Sequence, residues 1–80
     1  MSYDVQTNQV IWFREDLYKV AGVSQVPSHD WAMIIPIELM PIPGEPMHHA
    51  LRGRPVDVRR SDLEANAEFI EPFNPVPLAA

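Results

Sequence analysis

The chain has 80 residues, the length of one small domain, and its apolar fraction of 46% is too high for a disordered chain. The absence of cysteine excludes disulfides and thiolate metal sites and favours a reducing, cytoplasmic compartment. The net charge of −5 disfavours generic binding to nucleic acids or acidic membranes. The longest apolar run, residues 31–37, is too short to span a bilayer, so no membrane partner is expected.

The beginning of the chain predicts an arm followed by a hairpin. Residues 1–8 are polar and lack a clear period, which indicates an N-terminal arm. Residues 9–14 and 17–23 are rich in Val, Ile, Trp, Phe and Tyr, the residue types that favour strands. A turn at Glu15 and Asp16 would join these two strands into a hairpin.

A helix over residues 9–21 is the alternative for this region. Val10, Phe13 and Leu17 would then share one face, and Gly22 stands where a helix commonly ends. The hairpin is favoured, because the rest of the chain has no convincing long helix and a hairpin is easier to place in an all-β fold.

The middle of the chain predicts a buried strand followed by a rigid loop. Residues 31–40 are the most apolar segment, and their length and β-branched content favour a core-facing strand. Pro36 lies inside this strand and cannot donate to a ladder, so it requires an edge, a bulge or a kink. Residues 41–46 contain three prolines and a Pro-Gly turn signal, which predicts a rigid loop.

The three histidines lack the spacing of a metal site. His48 and His49 are adjacent and would point to opposite faces of an extended segment, and His29 lies far away in sequence. We therefore expect no metal and no cofactor, and we interpret the histidine pair as part of a polar loop that titrates near neutral pH.

A strand that leads directly into a short helix follows the histidines. Val56 and Val58 alternate with polar residues, the pattern of a half-buried strand. Ser61 and Glu64 have the spacing of a capping box, which predicts a helix over residues 61–67. A short last strand, a single domain over residues 9–71 and an extended Pro-rich tail over residues 72–80 complete the prediction. Phe73, Val76 and Leu78 of the tail are expected to cross an open side of the domain or to add to a neighbouring chain.

A strand, one helical turn and another strand resemble the closing elements of small SH3-like barrels. The fold class predicted is therefore mainly β, a small SH3-like barrel of about five short strands with one short helical turn. An α+β fold with an N-terminal helix at 9–21 is the alternative.

The function predicted is a non-enzymatic protein–protein interaction module. No nucleophile with a base and an orienting group stands out, and a phosphate-binding glycine loop is missing. Exposed aromatic side chains beside arginine are typical of protein-binding hot spots. The predicted partner-binding residues are Trp12, Trp31, Arg52, Arg54, Arg59 and Arg60. A small phage or plasmid accessory protein that binds and inhibits a host protein complex would fit this size and charge.

Three other functions remain alternatives. A small barrel could bind nucleic acid through the arginines of residues 52–60 and neighbouring aromatics. The acidic surface could mimic a nucleic-acid backbone, or exposed strand edges could make the chain a self-associating structural protein or homo-oligomer.

Overall fold

The computed structural model describes residues 4–77 of the chain. The elements follow in the order β1 (Gln9–Phe13), β2 (Asp16–Val23), β3 (Ala32–Met40), β4 (His48–Leu51), β5 (Val56–Val58), α1 (Arg60–Asn66) and β6 (Glu68–Pro72). The strands form an antiparallel sheet in the order β4-β3-β2-β1-β6, and β5 pairs with β3. The sheet curls into a half-barrel with one short helix, which confirms the predicted mainly β, SH3-like class. None of the helices within the described residues has the length and hydropathy needed to cross a membrane.

Residues 9–23 form a hairpin, so the alternative helix over residues 9–21 is wrong. The turn lies one residue earlier than predicted, at Arg14 and Glu15. Both residues have positive φ, 50° and 63°, the signature of a two-residue type I′ turn. This turn matches the right-handed twist of the two strands, and it forces two residues with side chains into the left-handed region.

The longest strand, β3, holds the sheet together because it has partners on both edges. β2 pairs along one edge, while β4 and β5 divide the other edge, β4 from Ile37 onward and β5 up to Ile34. Pro36 lies between them, and its carbonyl accepts from the Arg52 N–H at 2.8 Å. The position at which Pro36 lacks an N–H faces the same edge of β3 as its carbonyl. This is the gap between β4 and β5, where the ladder is interrupted. Gly53 lets the chain pass there, since a Cβ atom at this position would lie 3.2 Å from the Pro36 ring.

The main core lies between the sheet and α1. Leu63 is fully buried and is the residue through which α1 contacts the sheet. Side chains of this kind each contribute about 1.5–3 kcal/mol when they leave water. The buried members of this core are Val5, Ile11, Phe13, Val20, Ala32, Ile34 and Leu63.

The start of α1 differs from the prediction, and the capping box of Ser61 and Glu64 is wrong. α1 begins at Arg60, and Arg59 occupies the N-cap position without a side-chain cap bond. The N–H of Ser61 instead donates to Oδ1 of Asp30 at 2.8 Å, and its hydroxyl donates to Oδ2 of the same carboxylate at 2.5 Å. A residue distant in sequence therefore satisfies a free N–H group of the first helical turn. Glu64 pairs with Arg60 at 3.4 Å.

The opposite side of the sheet, which we call the second face, has a smaller core of its own. Val10 and Ile37 are buried outside the main core, and strand alternation places them on this face together with His49. The histidine pair belongs to β4 and is buried, so the interpretation of a polar loop is wrong. His48 and His49 face opposite sides of the strand, as their adjacency predicts.

The C-terminal strap, residues 73–77, covers part of the second face. The N–H of Phe73 donates to the carbonyl of Asn8 at 2.8 Å, which continues the path of β6. The ring of Phe73 stacks on His49 with centroids 5.7 Å apart, and the ammonium of Lys19 lies 4.5 Å from the centroid of the same ring. The predicted arm and tail also include residues 1–3 and 78–80, among them Leu78, which lie outside the described part of the chain.

His49 fixes the strap through both of its ring nitrogens. The N–H of Asn74 donates to Nδ1 at 2.9 Å, so the ring proton resides on Nε2, which donates to the Glu71 carboxylate at 2.5 Å. The N–H of His49 donates to the Asn74 carbonyl at 2.7 Å, and the Asn74 amide donates to the Met47 carbonyl at 2.9 Å. A histidine that is 1% exposed thus has both ring nitrogens and its backbone N–H paired.

Replacement of Glu15 by Gly is expected to stabilise the protein. Glu15 has a φ of 63°, and glycine adopts this region without the cost of about 1 kcal/mol that a Cβ atom brings. Urea denaturation should show a free energy of unfolding raised by about 0.5–1 kcal/mol. Glu15→Ala removes the same charge but keeps the Cβ atom, and equal stability of the two variants would contradict the turn.

Replacement of His49 by Leu is expected to loosen the strap. Leucine fills similar space but leaves the Asn74 N–H and the Glu71 carboxylate without their partner, at a cost of about 2 kcal/mol in urea denaturation. Glu71→Gln keeps an acceptor oxygen for the Nε2 proton and should cost less than half as much. Unchanged stability of His49→Leu would show that the strap does not depend on this ring.

Candidate functional site

The structure divides the six predicted site residues between the two ends of the sheet. Trp31, Arg59 and Arg60 lie where β3 begins and β5 ends, Trp12 and Arg52 lie near the hairpin turn, and Arg54 lies in the passage from β4 to β5. The two tryptophans therefore belong to separate surfaces. The two surfaces also differ in their arginines, because the guanidinium groups near one surface are paired within the chain to a greater extent than those near the other.

Trp31 and Arg59 lie opposite each other just beyond the last residue pair of β3 and β5. That pair is Ala32 with Val58, and both of these side chains face the main core. The next residue on each strand points to the other side of the sheet, and Arg59 keeps extended backbone angles. Trp31 is 43% exposed and Arg59 is exposed, so an indole and a guanidinium share one open surface.

A shallow floor continues this surface along the second face. Met33 pairs with Gly22 of β2 on one side and with Asp57 of β5 on the other. A register shift between Val20 and Gly22 turns the glycine to this face, and a Cβ atom at Gly22 would meet no heavy atom within 4 Å. The strap does not fill this space. We call the set the Trp31 surface, and its members are Gly22, Trp31, Met33, Asp57 and Arg59.

Two arginines near the Trp31 surface are free to bind a partner. Within residues 4–77, the side chains of Arg54 and Arg59 form no ion pair and no hydrogen bond, and both are exposed. Arg60 is different, since it donates to the Ser24 carbonyl at 3.1 Å and pairs with Glu64 at 3.4 Å. The available positive charge is thus at the two ends of β5.

The Asp30 carboxylate fixes the end of the sheet that carries the Trp31 surface. Its two hydrogen bonds with Ser61 join the residue before Trp31 to the start of α1. The side-chain and backbone hydrogen bonds from Ser61, assisted by the charges of Arg60 and Arg59, hold the pKa of Asp30 below its usual value of 3.8. These hydrogen bonds join the backbone beside Trp31 to the backbone that follows Arg59.

At the surface near the hairpin turn, the arginine is already paired within the chain. Trp12 is 44% exposed, and its partners across the sheet are Leu17 and Glu68. The Arg52 guanidinium is already bound to the Asp16 carboxylate. The backbone N–H of Leu17 and this guanidinium lower the pKa of Asp16. An aromatic side chain is available here, but its neighbouring cation is committed within the chain.

The described residues also form a polar cleft, of about 390 Å³, between the N-terminal segment and α1. The cleft contains no histidine, and the Ser24 hydroxyl in it bonds to the backbone of Val26. Within residues 4–77 no three histidine, aspartate or glutamate side chains lie close enough together to hold a metal ion. The lining residues are Asp4, Val5, Gln6, Val23, Ser24, Gln25, Arg60 and Glu64. The arrangement offers polar contacts rather than a nucleophile paired with a base.

Sequence reasoning missed the floor of the Trp31 surface and the carboxylate that fixes it. In the sequence Gly22 fits either the strand over residues 17–23 or the end of the alternative helix, and no pattern pairs it with Met33. Asp30 lies next to Trp31 in sequence, but its contact with Ser61 requires the register of β3 and β5. The signal behind the predicted site residues is residue type, because tryptophan and arginine are the residues most enriched in binding surfaces.

Replacement of Asp30 by Asn is expected to change the pH dependence of stability. A carboxylate whose pKa is lowered by folding stabilises the protein above its unfolded-state value near 3.8, and this contribution is lost as the pH falls through the lowered pKa. Urea denaturation should therefore show Asp30→Asn to be less stable than the parent at pH 7, with the difference shrinking in acid. Ser61→Ala should behave similarly, and a difference that does not depend on pH would contradict the assignment.

Comparison of the chain with protein-family models, with curated proteins and with solved structures found no match. The function proposed below therefore rests on the contacts, burial and charge of the described residues.

Proposed function

We propose that the protein is a non-enzymatic binding module that docks on a partner protein through the Trp31 surface. The observation that carries this proposal is the exposed indole of Trp31 one residue beyond the Ala32–Val58 pair, at the same sheet end as an exposed Arg59 that forms no hydrogen bond or ion pair within residues 4–77. Tryptophan and arginine are the side chains that most often dominate protein interfaces. The absence of cysteine from the sequence supports a cytoplasmic location for this interaction.

The mechanism of docking is an aromatic anchor with a charged rim. The indole of Trp31 would enter an apolar pocket of the partner, and the open space above Gly22 would receive a side chain from that partner. Arg59 on this face, and Arg54 at the far end of the β5 segment, would meet acidic side chains outside the central contact, where ion pairs guide association more than they add affinity. The partner surface is therefore apolar at its centre and acidic at its edge.

Protein is favoured over nucleic acid as the partner by the charge around this surface. Asp57 is exposed between the two free arginines, and the chain as a whole carries a net charge of −5. A phosphate backbone would meet repulsion at this position, whereas a protein can place a neutral or basic side chain there.

The two tryptophans provide a matched experiment, because they are exposed to nearly the same extent. Partners are captured from a lysate of the native host after nuclease treatment, with the parent, Trp31→Ala and Trp12→Ala as baits. The expected result is a partner that Trp12→Ala retains and Trp31→Ala loses. The dissociation constant for the purified partner should rise about 30-fold or more in Trp31→Ala, as expected for loss of about 2 kcal/mol at a hot spot.

Gly22→Glu provides an independent test of the same surface. The added side chain enters open space, so the fold should tolerate it, and its bulk and negative charge should block an acidic partner. Capture that is unaffected by both Trp31→Ala and Gly22→Glu would refute the proposal. Capture that disappears on nuclease treatment, or no capture by the parent, would refute it as well.

A further inference from the structure

The segment from Arg54 to Arg59 has an open edge beside the Trp31 surface. Among the described residues β5 pairs with β3 alone, so its other edge has no neighbouring strand. Only Val58 in this segment is partly buried, and Val56 is 44% exposed. Pro55 restricts the residue before it to extended conformations. An extended chain can therefore lie along the whole segment.

The charges along this edge alternate in a defined order. Arg54 and Arg59 are positive at the ends, and Asp57 is negative between them. The two arginines are five residues apart, about 17 Å at roughly 3.3 Å per residue. Because five is an odd number, they point to opposite faces of the strand, and the residues opposite them on an added strand would do the same.

We propose that the occupant of this edge is an extended segment of the partner protein with an acidic residue at each end of a six-residue stretch. This inference rests on the proposed docking function and names the part of the partner that is recognised. The two acidic residues lie opposite Arg54 and Arg59, five positions apart. The residue opposite Asp57 is neutral or basic, and the residue opposite the exposed Val56 is apolar.

Cross-strand neighbours are the physical basis of this pattern. Opposite charges directly across two strands stabilise the pair, and like charges in that position destabilise it. An acidic residue opposite Asp57 is therefore excluded, which separates this site from a general attraction to acidic chains. Trp31 lies on the inner side of Arg59, two strand spacings or about 10 Å from an added strand, so a long side chain of the bound segment has to extend over Arg59 to reach the indole.

A library of random 12-residue peptides displayed on phage and selected on the intact 80-residue chain tests the pattern. The expected outcome is enrichment of peptides with two acidic residues five positions apart and no acidic residue opposite Asp57. A synthetic peptide from this selection should bind more tightly than a peptide of the same composition with its two acidic residues adjacent. This control holds the net charge constant and tests spacing alone.

Reversal of the charges of Arg54 and Arg59 provides a second test. Arg54→Glu combined with Arg59→Glu should weaken the binding of the selected peptide about tenfold or more. A peptide with lysine at the two acidic positions should bind this variant better than it binds the parent. Both residues are exposed and form no hydrogen bond or ion pair within residues 4–77, but the charge of Arg59 assists the Asp30 carboxylate, so urea denaturation establishes that the variant is folded before its binding is compared.

The outcomes separate this inference from the proposed function. Selected peptides that depend on Trp31 but show no acidic pair, or that ignore the charge reversal, would overturn the acidic-segment inference and leave the docking surface in place. Selected peptides that ignore Trp31→Ala, or no selected peptides at all, would overturn the inference, and the capture experiment then decides the docking function. Displacement of a selected peptide by a single-stranded oligonucleotide would overturn it in favour of nucleic acid.

Discussion

The arrangement of the chain depends on one missing hydrogen-bond donor, the absent N–H of Pro36. Because the ladder on that edge of β3 must be interrupted there, two successive strands can share the edge. β4 ends before the interruption and β5 begins after it. β5 then leads the chain into α1. Both the main core around Leu63 and the placement of Arg59 across from Trp31 follow from this division of one edge.

A chain of this size has to cover both faces of its sheet with short segments. α1 covers one face through essentially one fully buried side chain, and the strap covers the other through one aromatic ring and a set of hydrogen bonds. The apolar residues that neither segment reaches stay exposed, and they include both tryptophans. Exposed apolar groups next to free cations are typical of surfaces that other proteins cover.

Local patterns predicted most of the strands, and long-range contacts explain the errors. The hairpin and the strand around Pro36 were predictable because residue types and turn chemistry act within a few residues. The start of α1 was not, since Ser61 bonds to Asp30 on another strand instead of to its own helix. The burial of His49 was also hidden, because its two partners lie more than twenty residues away in sequence. For the candidate site, residue type pointed to Trp31 and Arg59 separately, and only the register of β3 and β5 places them at the same end of the sheet.

The contacts of the strap have a consequence for the order in which the chain folds. Phe73 and Asn74 bond to Asn8, Met47 and His49, which come from two distant parts of the sequence. Loop-closure entropy makes such contacts unfavourable until the hairpin and β4 are already in place. The strap is therefore the last segment to close, and protection of the His49 amide against hydrogen exchange should appear late in refolding. Until then the His49 ring on which Phe73 stacks remains uncovered, and the refolding chain is most prone to aggregate in that interval.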